Sequence, residues 1–203
     1  MNIPSQNDCF QLMCEMHMLE NIVAHSLQVC RVAIGLLDHL KFEGIHMDRQ
    51  LVEAAALLHD ITKTRSFKTE ENHALTGGQY LTDSGYAEVG NLVRQHVRLD
   101  AYSADKSLTE AEIINYADKR VLHDRIVPLD ERMNYIMEKY GTRPEHKQRI
   151  RLLWAKTKDL EKQIFSYLPF SPKDLSDHLI SRNISSQISS YQKLCSRLRT
   201  GSL

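Results

Sequence analysis

Cysteine is scarce in this chain, and Cys9, Cys14, Cys30 and Cys195 form no CxxC pair. That excludes a cysteine-rich structural zinc site and reads as four reduced thiols of a cytoplasmic protein. Surplus charge is also missing: Lys+Arg and Asp+Glu stand at 26 each, a formal net charge of zero. General nucleic-acid binders carry a basic surplus, so that class is set aside. No apolar run nears the roughly 20 residues that span a bilayer, and no membrane association is expected. The opening Met1–Gln6 lacks the basic and apolar regions of a signal peptide. Internal repeats and long low-complexity tracts are absent as well. The 203 residues suit one domain with a helical appendix.

What the chain does have is helical periodicity nearly throughout. Apolar residues recur at three and four positions and strand-like alternation is scarce, so the expected fold class is all-α. The pattern predicts helices near 8–16, 20–40 and 48–59, the last with Asp48 as its N-cap. A polar loop is expected from Thr62 to Lys68, then helices over 73–82 and 87–96. Thr109 followed by Glu112 is a capping box opening a helix expected to reach about Asp124. Pro128 and Gly141 bracket a helix over 129–140, and Pro144 opens a long one toward Tyr167. The stretch from Lys173 to Leu203 reads as one or two amphipathic helices with a frayed end. Residues 1–140 are the expected core, and 141–203 a C-terminal extension packing on it or on a partner.

Several of these apolar faces carry metal-seeking side chains. His25 shares a stripe with Ile22, Val29, Val32 and Leu36. The run Ala54–Leu58 leads straight into His59 and Asp60, and burying such groups unpaired costs roughly 2–7 kcal/mol. His73 aligns with Gly77, Tyr80 and Leu81, His96 with Val89, Leu92 and Val93, and Asp118 lies between Ile114 and Val121. Any one of these alone fits a hydrogen-bonded core residue, and Asp118 alone fits an ion pair with Lys119 or Arg120. Their succession on separate faces points to one shared interior. Neighbours on a helix diverge by about 100°, so His59 and Asp60 can share an ion only where their helix ends. Imidazole with carboxylate suits manganese, iron, cobalt, nickel, zinc or magnesium. His17, His39, His46, His123 and His178 are expected at the surface or behind the site.

Three segments, Ala24-His25-Ser26-Leu27-Gln28-Val29, Leu57-Leu58-His59-Asp60-Ile61-Thr62-Lys63 and Tyr116-Ala117-Asp118-Lys119-Arg120, resemble the HD-domain superfamily of metal-dependent phosphohydrolases. The resemblance covers roughly residues 18–125. It implies an all-helical bundle with one ion held by His25, His59, Asp60 and Asp118. Asn72–Gly78 and Gln95–Val97 resemble the elements of binuclear members, implying a second ion on His73 and His96 with Asp60 bridging. Thr62 stands where the HDIG subgroup has glycine, and the GYP signature of the cyclic-dinucleotide-cleaving branch is absent. Bacterial members that hydrolyse symmetrical dinucleoside tetraphosphates look similar here.

The resemblance implies hydrolysis of a phosphate ester or anhydride of a nucleotide or other small molecule, by water activated on one or two divalent ions. Asp60 and Lys63 are the expected catalytic side chains, Lys63 at the pocket mouth. Arg65, Arg98, Lys119, Arg125 and Arg132 are further cations for a phosphate. Arg120 should point away from the metal and pair on the outer face. Two other readings share the ligand set: a di-iron oxygenase, like inositol oxygenase and a phosphonate-degrading oxygenase, and a non-catalytic nucleotide-binding signalling module. The amphipathic tail with Ile184, Ile188, Tyr191 and Leu194 leaves a homo-oligomer open.

Overall fold

The computed structural model describes residues 2–103, 106–180 and 183–200, with side chains at all of these except 199 and 200; residues 201–203, the end of the expected tail, lie outside them. Among the described residues, ten α-helices and a two-stranded hairpin make an all-α fold. The helices are α1 (Gln6–Glu15), α2 (Glu20–Phe42), α3 (Arg49–Leu58), α4 (Lys63–Thr69), α5 (His73–Asp83), α6 (Ala87–Gln95), α7 (Glu110–Lys119), α8 (Leu129–Tyr140), α9 (Pro144–Ser166) and α10 (Ile184–Thr200). Antiparallel β1 (Val121–Leu122) and β2 (Arg125–Ile126) follow α7, and a 3-10 turn over Pro172–His178 precedes α10. No helix among the described residues is long and apolar enough to cross a membrane.

Local chemistry sets many of these ends. The Asp48 side chain accepts from the Gln50 and Leu51 amides, and Thr109 and Glu112 close a reciprocal capping box on α7. Asn72 caps α5 in the same way, which fixes the start of the helix at His73. Two expectations need correction. Lys63–Thr69 is a helix rather than a loop, with no buried residue to create a periodic apolar signal. And α7 stops at Lys119, because Arg120–Val127 turns back as a hairpin instead of continuing to Asp124.

The core gathers α2, α3, α6 and α7, with Leu36, Leu58, Ile61, Val93, Ile113 and Ile114 fully enclosed. Helices α5 and α6 approach so closely that a Cβ on Gly78 would sit 2.7 Å from the Gly90 carbonyl oxygen. Only glycine allows this spacing. Helix α9 leans on α7 through a triad: buried Tyr116 donates to half-buried Glu161 at 2.5 Å and accepts from Arg120 at 2.6 Å. Arg120 also donates to the carbonyls of Val127 and Pro172. It therefore faces away from the site as expected, but inside the protein, 3% exposed, not on an outer face. A second small cluster, Leu129, Met133 and Ile150, joins α8 to α9.

Helix α10 lies on α1 and α2, with Tyr191 donating to the Met18 carbonyl and Phe10 edge-on to the Tyr191 ring. Here the four-thiol reading is corrected. Cys14 and Cys195 form a disulfide across 181 residues, while Cys9 and Cys30 are buried outside it.

Candidate metal centre

Five helices deliver six ligand-type side chains to one interior point. His25 comes from the inner face of α2, His73 opens α5, and Asp118 lies in the last turn of α7. Helix α3 ends at Leu58, so His59 caps it and Asp60 enters the turn that follows. His96 likewise caps α6. Past a helix end, successive side chains are freed from the 100° rule, which lets His59 and Asp60 converge.

The separations, 3.1–3.9 Å, match or slightly exceed those of ligands around an ion. His25 Nε2 is 3.2 Å from Asp118 Oδ1, and His59 Nε2 is 3.9 Å from the same oxygen and 3.5 Å from Asp60 Oδ2. On the other flank, Asp60 Oδ1 lies 3.1 Å from His73 Nε2 and 3.6 Å from His96 Nε2. Ligand bonds of about 2.1 Å place neighbouring ligand atoms about 3.0–3.4 Å apart. Two overlapping groups result, His25 with His59 and Asp118, and His59 with Asp60 and His96, while His73 adjoins the second.

Three imidazoles are locked in the tautomer a metal needs. Nδ1 of His25, His59 and His96 faces the carbonyl oxygens of His123, Ala56 and Val93 at 2.7–2.8 Å. Each Nδ1 therefore carries the proton, and each Nε2 turns its lone pair inward. His123 adopts a left-handed φ of 56° at the hairpin turn, which aims its carbonyl at His25. Two of the buried ligand atoms have no hydrogen-bond partner, His59 Nε2 and Asp60 Oδ1. Leaving both orphaned costs free energy that a cation between them would recover. The residues present thus fit a divalent ion, and no cysteine is needed.

Protonation states agree with this. Burial pushes the His59 imidazole down to about 4, so it is neutral at pH 7, and burial lowers His73 as well. Burial alone would raise the Asp60 carboxyl, but His59, His73, His96 and Lys63 around it hold it well below the usual carboxylate range. Asp118 is held low against its own burial by Lys119, His25, Arg132 and His59. Neutral imidazoles and ionised carboxylates are the forms that bind metal.

The expected cations divide sharply. Lys63 Nζ donates to His73 Nε2 at 3.3 Å, and Arg132 Nη2 is 3.7 Å from Asp118 Oδ1. Arg65 pairs with Glu71 and Arg125 with Glu131, both away from the ligands. Arg98 is exposed and lines a separate cavity of about 320 Å³ with Tyr102, Asn115 and Lys156.

Lys119, expected as a phosphate cation or a partner of Asp118, does pair with Asp118 but inside the protein, and the supporting roles of Asn115 and Thr62 were not foreseen. Lys119 is buried; its ammonium sits 3.3 Å from Asp118 Oδ2 and donates to the His96 carbonyl at 2.5 Å, where Asn115 also donates. Burial lowers the Lys119 pKa against the pull of Asp118. Every residue from Ala111 to Lys119 is buried, so α7 has no solvated face on which Lys119 could pair. The run Ile113-Ile114 followed by Tyr116-Ala117 carried that signal. Thr62, in the glycine position of the HDIG pattern, donates to the His73 carbonyl at 2.8 Å and steadies the start of α5.

A tRNA (cytidine(56)-2'-O)-methyltransferase of Picrophilus torridus is 26% identical over 163 residues, covering 74% of this chain and 45% of that protein. An uncharacterised protein of Methanocaldococcus jannaschii is 25% identical over 147 residues, 66% of this chain and 86% of its own length. Ribonuclease Y of Acidothermus cellulolyticus is 31% identical over 94 residues, 45% of this chain and 18% of that enzyme. The chain thus spans less than half of the methyltransferase and less than a fifth of the ribonuclease. No solved structure matches. The family model of the HD domain matches residues 22–121, the segment that holds all six ligand-type residues. Residues 22–121 thus carry an HD domain, the domain of a superfamily that is mostly metal-dependent hydrolases.

Proposed function

We propose that this protein is a metal-dependent phosphohydrolase that cleaves a phosphate ester or anhydride of a nucleotide or another small molecule. One observation carries the reading: six imidazole and carboxylate groups converge, with His59 Nε2 and Asp60 Oδ1 orphaned among them. His25, His59, Asp60 and Asp118 would hold one ion. Asp60, His73 and His96 would hold a second, with Asp60 shared. Once bound, such an ion supplies Lewis acidity, activating water near neutral pH and neutralising phosphate oxygens.

The chain's own groups do the rest. Lys119 and Asn115 fix the His96 backbone, and Lys119 steadies Asp118 Oδ2, so the ligands are held before substrate arrives. Lys63 has a sharper role. An ammonium only donates, and its acceptor here is the His73 Nε2 lone pair. When that lone pair is committed to a metal, Lys63 is released to donate to a phosphoryl oxygen. Two of the similar proteins are named for RNA, as a tRNA methyltransferase and a ribonuclease, which supports a substrate with a nucleotide part.

The test is elemental analysis of untagged protein, then phosphate release from a nucleotide panel with the metal found restored. Two divalent ions per chain are expected, with His59→Ala and Asp60→Ala losing metal and turnover together. A His59→Ala protein with full metal content and full turnover would overturn the assignment. Bound iron with oxygen uptake and no phosphate release would favour the oxygenase instead.

A further inference from the structure

Arg132 lies on α8, beyond the residues 22–121 that match the family model. Its guanidinium nevertheless reaches the metal centre. Nη2 stands 3.7 Å from Asp118 Oδ1, too long for a hydrogen bond, and Nε is buried with no acceptor at all. Asp118 already has a closer cation: Lys119 Nζ lies 3.3 Å from Oδ2, while Oδ1 faces the inward lone pair of His25 Nε2 at 3.2 Å. Arg132 thus acts on that carboxylate through its charge alone and keeps its hydrogen-bond donors uncommitted to it.

The guanidinium is not loose either. It rests on Tyr135, with Cζ 5.8 Å from the ring centroid. Tyr135 meets the His123 ring edge-on at 5.5 Å, and the His123 carbonyl orients His25. The wall that carries Arg132 is thus tied to the ligand His25. Lys63 occupies the opposite flank, beside His73 and Asp60. A row of ligands with one incompletely satisfied cation at each end is built for an anion that spans it. A guanidinium matches the paired oxygens of a phosphoryl group in geometry as well as charge.

We propose that Arg132 is a substrate-binding residue whose guanidinium takes the non-bridging oxygens of the substrate's phosphoryl group, opposite Lys63. The proposal rests on the phosphohydrolase reading above, and its test separates the two. Wild type, Arg132→Gln and Arg132→Lys are loaded with manganese, their metal content is measured, and inorganic phosphate is titrated in with calorimetry. Arg132→Gln should keep its metal and bind phosphate about tenfold more weakly, the loss of one charge-assisted contact. Arg132→Lys, which keeps the charge but not the fork, should recover part of that loss. Arg132→Lys also serves if the glutamine variant fails to fold, since a drop in its phosphate affinity at equal metal content supports the same contact.

Three results overturn the proposal. Wild type binds no phosphate; the folded variants bind it as tightly as wild type; or they lose metal and regain full phosphate affinity at saturating manganese, which makes Arg132 a positioning residue for Asp118. Failure of the functional reading looks different: phosphate binds, yet no nucleotide in the panel is cleaved.

Discussion

His73 and His96 present their Nε2 atoms to each other at 3.2 Å. The Val93 carbonyl holds the proton of His96 on Nδ1, and Lys63 donates to His73 Nε2, so both facing nitrogens offer lone pairs. Two lone pairs at that distance repel, and two hydrogen-bonded helix ends enforce it. A cation between them, with Asp60 Oδ1 at 3.1 Å from one and 3.6 Å from the other, turns the repulsion into coordination.

Metal stoichiometry should therefore depend on this pair. Wild type is expected to retain two divalent ions per chain, and His73→Ala or His96→Ala one. His25→Ala should instead empty the flank built on Asp118. Elemental analysis after dialysis reads both results. Equal metal content in wild type and His73→Ala would remove His73 from the ligand set.

The close approach of α5 and α6 sets where His73 and His96 stand. A Cβ at position 78 would lie 2.7 Å from the Gly90 oxygen and 2.8 Å from Arg94 Cβ. Gly78→Ala must push the helices apart, at a cost of about 1–3 kcal/mol. Urea unfolding should show that loss, and the His73–His96 flank should bind metal more weakly than the His25–Asp118 flank. Leu75→Ala, an exposed position on the same helix, should change neither.

Much of this was legible from the residues alone, for identifiable reasons. Pro128 and Gly141 punctuate α8 so firmly that its span, Leu129–Tyr140, reads directly from the chain. The six ligand-type residues stood out because each broke an apolar stripe, and the fold brings all six together. Helix α4 did not stand out. Lys63–Thr69 is polar but for one exposed phenylalanine, so it has no periodicity to read. The hairpin at 121–126 is two residues per strand, too short for an alternation. Pairing between Cys14 and Cys195 depends on α10 meeting α1 in space, which no local pattern encodes.

That disulfide makes a prediction of its own. Closing a loop of 181 residues is worth up to about 5 kcal/mol in the chain-entropy account. Reduction, or Cys195→Ser, should lower the thermal midpoint by about 5–15 °C in a protein of this size. Alkylation in denaturant should label two cysteines before reduction and four after. Four labelled without reductant would show that the bond does not form in solution.

Acid should unfold the metal-free protein early, and the sign follows from burial. Above pH 6.5 the His59 imidazole is neutral folded or unfolded, and it contributes nothing. Between 6.5 and about 4 the unfolded chain takes up a proton that the buried ring refuses, so stability falls as pH falls. This one group costs about 2 kcal/mol at pH 5 relative to pH 7.5. His73, lowered in the same sense, adds to the loss. Asp60 and Asp118 act further down: their stabilisation is present above the ordinary carboxylate value and disappears only as pH falls through their depressed folded values. The urea midpoint of chelator-treated protein should therefore drop steadily from pH 7.5 to 5, well before carboxylates titrate. Saturating metal should hold the midpoint up over the upper part of that range, because an ion on His59 Nε2 competes with the proton. A midpoint flat from pH 7.5 to 5 in the metal-free protein would mean that His59 is not the buried neutral imidazole on which the metal centre is built.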